Sequence, residues 1–350
     1  MKDAGKEKFL ITGGYGFIGS SLIRILLKNG EKVGNIDKLT YSANINSLED
    51  LATEENYVFF NNDICDQSSL HKIIKDFSPT KIIHLAAETH VDRSIDNPSN
   101  FIHSNIVGSY NVLNSSNQYW SSLNDDQKNN FRLLLVSTDE VYGSLSAKEE
   151  LFTEESSYEP NSPYSASKAA SDLLGRAWIK TYELPVIITN TTNNFGPWQF
   201  PEKLIPLTIS KCLNNKNIPI YGNGEQIRDW IFVDDHAEGI LSAIREGKLG
   251  EKYNISSKNE QKNIDVVNDI CSILDKIHPN EEGSYNRLIE FVKDRPGHDY
   301  RYALSNDKIK SLGWRSNTDW LEGLEITVKW YLRNREFLDQ YSGERLGRSK

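Results

Sequence analysis

Short apolar runs alternate with longer stretches whose apolar positions recur every three to four residues through the first half of the chain. Residues 9–12, 32–36, 57–60, 81–86, 131–137 and 185–190 read as strands. Residues 18–29 read as a helix closed by Gly30, and 66–76 as a helix that stops before Pro79. Residues 97–120 read as one long helix with Pro98 in its first turn, and 162–182 as another. Strands separated by helices on this scale predict right-handed βαβ units, hence an α/β fold with a doubly wound, parallel Rossmann-type sheet. After residue 192 the rhythm changes, and Gly-, Pro- and Asn-containing segments at 193–201, 221–224 and 294–298 interrupt shorter elements. The pattern therefore predicts a first domain over 1–192 with later returns near 230–255. A smaller C-terminal domain over 193–350 would lay its loops over the carboxyl edge of the sheet, where ligands bind in such folds.

Composition narrows the class without changing that picture. The 350 residues carry a formal net charge of −9, which argues against a nucleic-acid partner because phosphate neutralisation needs a basic face. Cys65, Cys212 and Cys271 are far apart in sequence and form no CxxC pair, so neither a disulfide scaffold nor a zinc or other metal site is expected. The polar opening MKDAGKEK offers neither a signal peptide nor a membrane span, so a cytoplasmic protein with no membrane partner is expected. Without such a leader, Asn114-Ser-Ser, Asn190-Thr-Thr and Asn254-Ile-Ser are chance matches to the glycosylation pattern.

The first chemical signal follows the first strand directly. In Gly13-Gly14-Tyr15-Gly16-Phe17-Ile18-Gly19, Gly13 permits a tight turn, Gly16 lets the backbone approach a pyrophosphate, and Gly19 lets the helix lie close on the strand. The helix N-terminus adds unpaired N–H groups and positive potential. Asp37, at the end of the second strand, can accept hydrogen bonds from ribose hydroxyls and repel a 2′-phosphate, which favours NAD over NADP; Lys38 beside it weakens that exclusion. Asp63-Ile64 follows the third strand and could hold an adenine edge or simply form a turn.

Two further groups carry chemistry. Tyr164 and Lys168 form a YxxxK pair on one face of a helix, where an ammonium beside a phenol lowers the phenol's pKa and prepares it to take a proton from a carbinol. The strand at 131–137 runs into Thr138-Asp139-Glu140, two adjacent carboxylates at the sheet's carboxyl edge. Such a pair is either a solvated loop or an acid and a base held in different protonation states, with Thr138 offering a hydroxyl to the same substrate position.

With these residues assembled, the chain resembles the extended short-chain dehydrogenase/reductase family over nearly its whole length, and within it the branch that dehydrates nucleotide-linked hexoses. The resemblance rests on GGYGFIG (13–19), DKLTYSAN (37–44), HLAAETHVDRSI (84–95), VSTDEVYG (136–143), SPYSASKAASD (162–172), NNFGPWQFPEKLIPL (193–207), PIYGNGEQIRDWIFVDDHA (219–237) and DRPGHDYRYA (294–303). It implies an NAD-dependent lyase that removes water from a thymidine- or uridine-diphosphate glucose, the surrounding segments favouring thymidine, to give the 4-keto-6-deoxy sugar. The family's 4-epimerases and decarboxylases are the alternatives. Epimerases carry a small or uncharged residue where Asp139 and Glu140 stand, and decarboxylases keep the glutamate but have serine for the aspartate. Besides the glycine turn, the resemblance implies NAD contacts at Phe17, Ile18, Asp37, Lys38, Leu39, Thr40, Asp63, Ile64, Leu85, Ala86, Ala87, Thr89, Ser104, Tyr164, Lys168 and Asn194. It implies substrate contacts at Thr89, Thr138, Asn193, Lys203, Leu204, Pro219, Ile220, Tyr221, Arg228, Asn263, Asp294, Arg295, Pro296, Gly297 and His298. Lys203, Arg228 and Arg295 are the cations a diphosphate needs. Thr138, Asp139, Glu140, Tyr164 and Lys168 are the implied catalytic set, and a homodimer joined through 97–120 and 162–182 is the implied assembly. Tyr15 departs from the usual alanine and could crowd the pyrophosphate loop. Ser104, Thr191-Thr192 and Phe195 are milder departures.

Overall fold

A computed structural model describes residues 7–294 and 297–340. The six expected strands are β1 (Lys8–Thr12), β2 (Lys32–Asp37), β3 (Tyr57–Asn61), β4 (Lys81–His84), β5 (Arg132–Thr138) and β6 (Val186–Thr191). The remainder are β7 (Asn193–Phe195), β8 (Ile218–Tyr221), β9 (Ile227–Phe232), β10 (Lys252–Ile255), β11 (Glu260–Lys262), β12 (Ile289–Val292) and β13 (Arg301–Tyr302). Seven of them form one parallel sheet in the order β10-β6-β5-β4-β1-β2-β3. Its central strands are nearly continuous in apolar residues because helices cover both faces. Phe9, Ile11, Ile83, Leu134 and Ile187 pack on one side with residues of helices Phe17–Lys28 and Val233–Glu246. Leu10, Ile82, Leu133, Leu135 and Ile188 pack on the other with helices Gln67–Phe77 and Gly108–Ser121. The chain turns from building one half of the sheet to the other between β1 and β4, and the carboxyl ends of these strands open the crevice that a Rossmann-type fold uses for ligands.

A third apolar cluster gathers residues of β9 with helices Leu204–Leu213, Asn263–Ile277 and Trp320–Arg333. Cys212 and Cys271, distant in sequence, lie in it with their sulfurs 3.9 Å apart, both as free thiols. β9 is the hinge between the two parts: it pairs with β7, β11 and β13 while Ile231 faces the cluster against the large sheet.

The stretch expected as one uniform helix over 97–120 is continuous but changes its winding. It runs as α-helix over Pro98–Phe101, as π-helix over Ile102–Val107, and as α-helix again over Gly108–Ser121. The wide turns carry buried Asn105, whose amide donates to the Glu88 carbonyl (3.0 Å) and Ser167 Oγ (2.9 Å) and whose oxygen accepts from Glu88 N (2.8 Å). The fourth strand ends at His84, two residues short of expectation, so 85–90 leaves the sheet as a loop beside that asparagine. No helix among the described residues is long and apolar enough to cross a membrane.

Candidate active site

At the crevice the glycine turn is shaped by close approach. Gly13 has φ +76°, and a Cβ there would lie 2.8 Å from the Ala86 backbone; a Cβ on Gly19 would lie 2.2 Å from the Gly13 carbonyl oxygen. Helix Phe17–Lys28 starts at Gly16 with no side-chain cap and no acidic residue in its first turn, so its leading N–H groups point into the cleft unopposed. A cradle of this kind fits a dinucleotide's pyrophosphate. Asp37 is buried at the rim, its oxygens accepting from Tyr15 N (3.0 Å) and Leu39 N (2.8 Å), and burial pushes its pKa up. The Lys38 ammonium is drawn to Asp63 at 3.3 Å and Ser104 Oγ at 3.5 Å. Tyr15 is turned onto Phe59, edge to face with ring centroids 4.9 Å apart, so its bulk joins the apolar cluster under the loop.

One cleft of about 290 Å³ joins this turn to the ends of β5 and β6. It is lined by the expected cofactor residues Gly13, Gly16–Gly19, Asp37, Lys38, Thr40, Ile64, Leu85–Ala87, Thr89, Ser104, Tyr164, Lys168 and Asn194. Leu39 and Asp63 lie one layer back, Leu39 closing the turn on Asp37 and Asp63 holding Lys38.

The five expected catalytic residues share this cleft. Thr138 ends β5 and caps the short 3-10 helix Asp139–Tyr142, its Oγ1 accepting from Glu140 N at 3.3 Å and donating to Asp139 Oδ1 at 3.2 Å. Asp139 is only 2% exposed, and its Oδ2 has no hydrogen-bond partner among the described residues. Burial, then the neighbouring Glu140 carboxylate, pushes its pKa well above the carboxylate range. Glu140 is half-exposed at the cleft wall. Two adjacent acids thus sit in unlike surroundings, one dry and one wet.

Helix Pro163–Tyr182 presents the other pair. Ser162 caps it reciprocally with Ser165, and Pro163 starts it, so Tyr164 falls in its first turn facing β5. Tyr164 hydrogen-bonds Thr138 and meets Phe101 edge-on at 6.3 Å. Its phenol differs from expectation: burial and the Glu140 charge push its pKa up. Loss of hydration and a nearby carboxylate both resist a phenolate, and the buried Lys168 ammonium donates to the Val136 carbonyl at 2.8 Å. Burial lowers the lysine's own pKa, against the pull of Asp172.

The expected substrate residues divide. Thr89, Thr138, Asn193 and Lys203 line the cleft, where Lys203 Nζ donates to the Thr89 carbonyl at 3.1 Å. Leu204 opens the next helix, Pro219–Tyr221 lie in β8, and Asn263 starts a helix after β11. Tyr221, Asp294 and His298 form a separate cluster: His298 Nδ1 is 2.6 Å from Asp294 Oδ1, and the Tyr221 hydroxyl donates to Asp92 at 3.2 Å. Gly297 sits in the turn beside them with φ +64°. Arg228 donates to the carbonyls of Ile227, Asp299 and Tyr300, and its guanidinium lies 4.2 Å from the Tyr302 ring centre. It still tempers the Asp139 carboxyl electrostatically. Arg295 and Pro296 lie outside the described residues. Glu88, inside the expected cofactor run 85–89, lines the cleft too, and sequence reasoning passed over Glu202, which also lines it. The buried Glu202 carboxylate accepts from Arg93 at 3.1 Å and Tyr41 at 3.2 Å. The acid between Pro201 and Lys203 in a motif already singled out was the available signal.

A parallel sheet with a glycine turn at its switch point, and a Tyr–Lys pair facing a Thr-Asp-Glu strand end, defines an extended short-chain dehydrogenase/reductase. The family model described as GDP-mannose 4,6 dehydratase matches residues 10–327, and the chain belongs to that family. It is 52% identical over 342 residues to dTDP-glucose 4,6-dehydratase 1 of Escherichia coli K12, covering 95% of this chain and 94% of that protein. Among solved structures it is similar to dTDP-glucose 4,6-dehydratase of Bacillus anthracis in complex with NAD (TM-score 0.84, 39% identity, 95% and 99% of the two chains). It is equally similar to the Streptomyces venezuelae dTDP-glucose 4,6-dehydratase with NAD and TYD bound (TM-score 0.86, 38% identity, 94% and 98%).

Proposed function

We propose that the chain removes water from dTDP-glucose to give dTDP-4-keto-6-deoxyglucose, with NAD as its resident cofactor. The observation that carries this reading is the unlike setting of Asp139 and Glu140: one carboxyl buried, with burial and its neighbour pushing its pKa well up, the other open to the cleft. The identity to dTDP-glucose dehydratases and the NAD-bound relatives support the substrate and the cofactor.

The glycine turn, Asp37 and Lys168 would hold the cofactor. NAD, when bound, supplies a hydride acceptor for sugar C4 and later a donor for C6. Thr138 orients the C4 hydroxyl, and Tyr164 takes its proton, the Thr138 hydrogen bond opposing the burial that resists a phenolate. The resulting ketone acidifies C5–H, and the Glu140 carboxylate takes that proton. Asp139 gives its proton to the C6 oxygen, so water leaves, and the proton held by Glu140 returns to C5 to complete the 4-keto-6-deoxy sugar. Lys203 and Asn193 in the cleft, with Arg228, Tyr221, Asp294 and His298 beyond it, form the site for the nucleotide diphosphate. The homodimer of this reading joins the two long helices: Ile102 (53% exposed), Tyr110 (40%), Leu173 (55%) and Tyr182 (47%) leave apolar surface on them uncovered.

Parallel incubations with dTDP-glucose and UDP-glucose, followed by mass spectrometry, test the reading. It expects a product lighter by one water from dTDP-glucose with no net change in NAD. A product of unchanged mass would mark an epimerase, and loss of carbon dioxide from a uronic-acid analogue a decarboxylase; either overturns the proposal.

A further inference from the structure

One buried carboxylate next to the catalytic set has no part in the reaction just described. Asp172 follows Lys168 by one helical turn, as Lys168 follows Tyr164, so the three share one face of helix Pro163–Tyr182. Its Oδ2 accepts three hydrogen bonds, from Ser137 Oγ (2.8 Å), Tyr158 OH (3.0 Å) and Asn190 Nδ2 (3.2 Å). Its Oδ1, equally buried, has no hydrogen-bond partner among the described residues. Three donors converging on one oxygen could be satisfied by an asparagine or glutamine carbonyl. What the carboxylate adds is charge.

That charge lies where the site needs it. Ser137 and Val136 are neighbours on β5; Asp172 holds the first through its side chain, and Lys168 holds the second through its carbonyl. Asn190 also donates to the Thr138 carbonyl at 3.1 Å, so the same network fixes the strand end that carries the acids. We propose that Asp172 is the counter-charge of Lys168, a positioning residue one helical turn away that keeps the ammonium charged and docked on β5. The inference rests on the dehydratase reading for what the ammonium is needed for.

The surrounding groups do not replace it. Asp139, Glu140 and Tyr142 face the pair from the turn after β5, and buried His84, at the end of β4, stays neutral with its pKa lowered to about 3. Lys252 from β10 lies over the Tyr158 ring and brings a like charge. Asp92, Arg93, Asp96, His103 and Tyr110 lie on the helical segments packed against Pro163–Tyr182, where Arg93 is taken up by Glu202. Asp139 is the protonated acid, and Glu140 changes its proton at every turnover. Burial pushes the Asp172 pKa up, and the Lys168 charge together with the hydrogen bonds from Ser137, Tyr158 and Asn190 opposes that, so the carboxylate and the ammonium favour each other's charged forms. Burial lowers the Lys168 pKa and Asp172 opposes that, so losing the Asp172 charge means losing the ammonium at lower pH.

Asp172→Asn isolates the effect, because its carbonyl can take the place of Oδ2 and its amide the place of the unpartnered Oδ1. NMR of nitrogen-labelled lysine, assigned against Lys168→Met, follows the ammonium without substrate. The expected result is a Lys168 midpoint at lower pH than in wild type, with kcat/KM on the alkaline limb reduced roughly tenfold. Ser137→Ala removes one hydrogen bond but leaves the charge, and should keep the wild-type midpoint. An unmoved midpoint in Asp172→Asn, or an equal shift in Ser137→Ala, overturns the proposal. If Asp172→Asn does not fold, the smaller uncharged Asp172→Ser carries the same two outcomes. Wild-type turnover of dTDP-glucose separately decides the dehydratase reading, which the NMR titration does not need.

Discussion

Asp139 and Glu140 differ by one position in sequence and by a whole environment in space. That difference makes a direct prediction: Asp139→Asn should still build up enzyme-bound NADH on adding dTDP-glucose, because hydride removal at C4 does not need the acid. Loss of water should slow by about two orders of magnitude or more, the usual worth of a positioned general acid. Stopped-flow absorbance for the reduced cofactor, set against mass-spectrometric water loss, checks it; dehydration at the wild-type rate would remove Asp139 from the acid role. At this scale the sequence was a good guide to identity and a poor one to state. The adjacent acids and the YxxxK spacing were legible, but which carboxyl is dry depends on how deep the 3-10 turn sits. The direction of the Tyr164 shift could not be read from a helical spacing, since burial and Glu140 arrive from outside the helix. Asn190, which in sequence resembled only a chance glycosylation match, proves to be fully buried and bonded to both Asp172 and Thr138.

Among elements, the long strands and helices of the first half could be found from periodicity, their ends falling within a few residues of expectation. The π-helical stretch Ile102–Val107 could not, because its apolar pattern continues that of the flanking α-helix and its cause lies elsewhere in the chain. Asn105 in that stretch satisfies both backbone groups of Glu88, at the floor of the cleft, and reaches Ser167 beside the catalytic pair. Asn105→Ala should leave the half-buried Glu88 N–H and C=O without that partner and cost about 1–3 kcal/mol. A thermal melt should show the loss, and NAD binding by calorimetry should weaken with it; an unchanged melting temperature would mean that the loop has another support. Short strands such as β7, β11 and β13 were equally invisible, since two or three residues carry no period and are set by their pairing with β9.

For the whole molecule, the parallel sheet was legible from the alternation of strands and helices, whereas the second part showed only as a loss of rhythm. Its core is assembled from segments scattered between 195 and 338, which no local pattern announces. The uncovered apolar residues on the two long helices predict a dimer; Leu173→Arg together with Ile102→Arg should halve the mass seen by analytical ultracentrifugation while leaving the monomer folded by circular dichroism. A mass unchanged by both substitutions would place the interface elsewhere. The position of β10 reaches further still. It lies at the edge of the large sheet against β6, yet it is made from residues 252–255, after the chain has already crossed into the second part and returned. A ribosome releasing this chain in order therefore exposes a complete cofactor cleft before the sheet that supports it has its outer strand. Until residue 255 emerges, β6 remains an open edge able to recruit a strand from another nascent chain. The last strand of the sheet is therefore also its protection during synthesis.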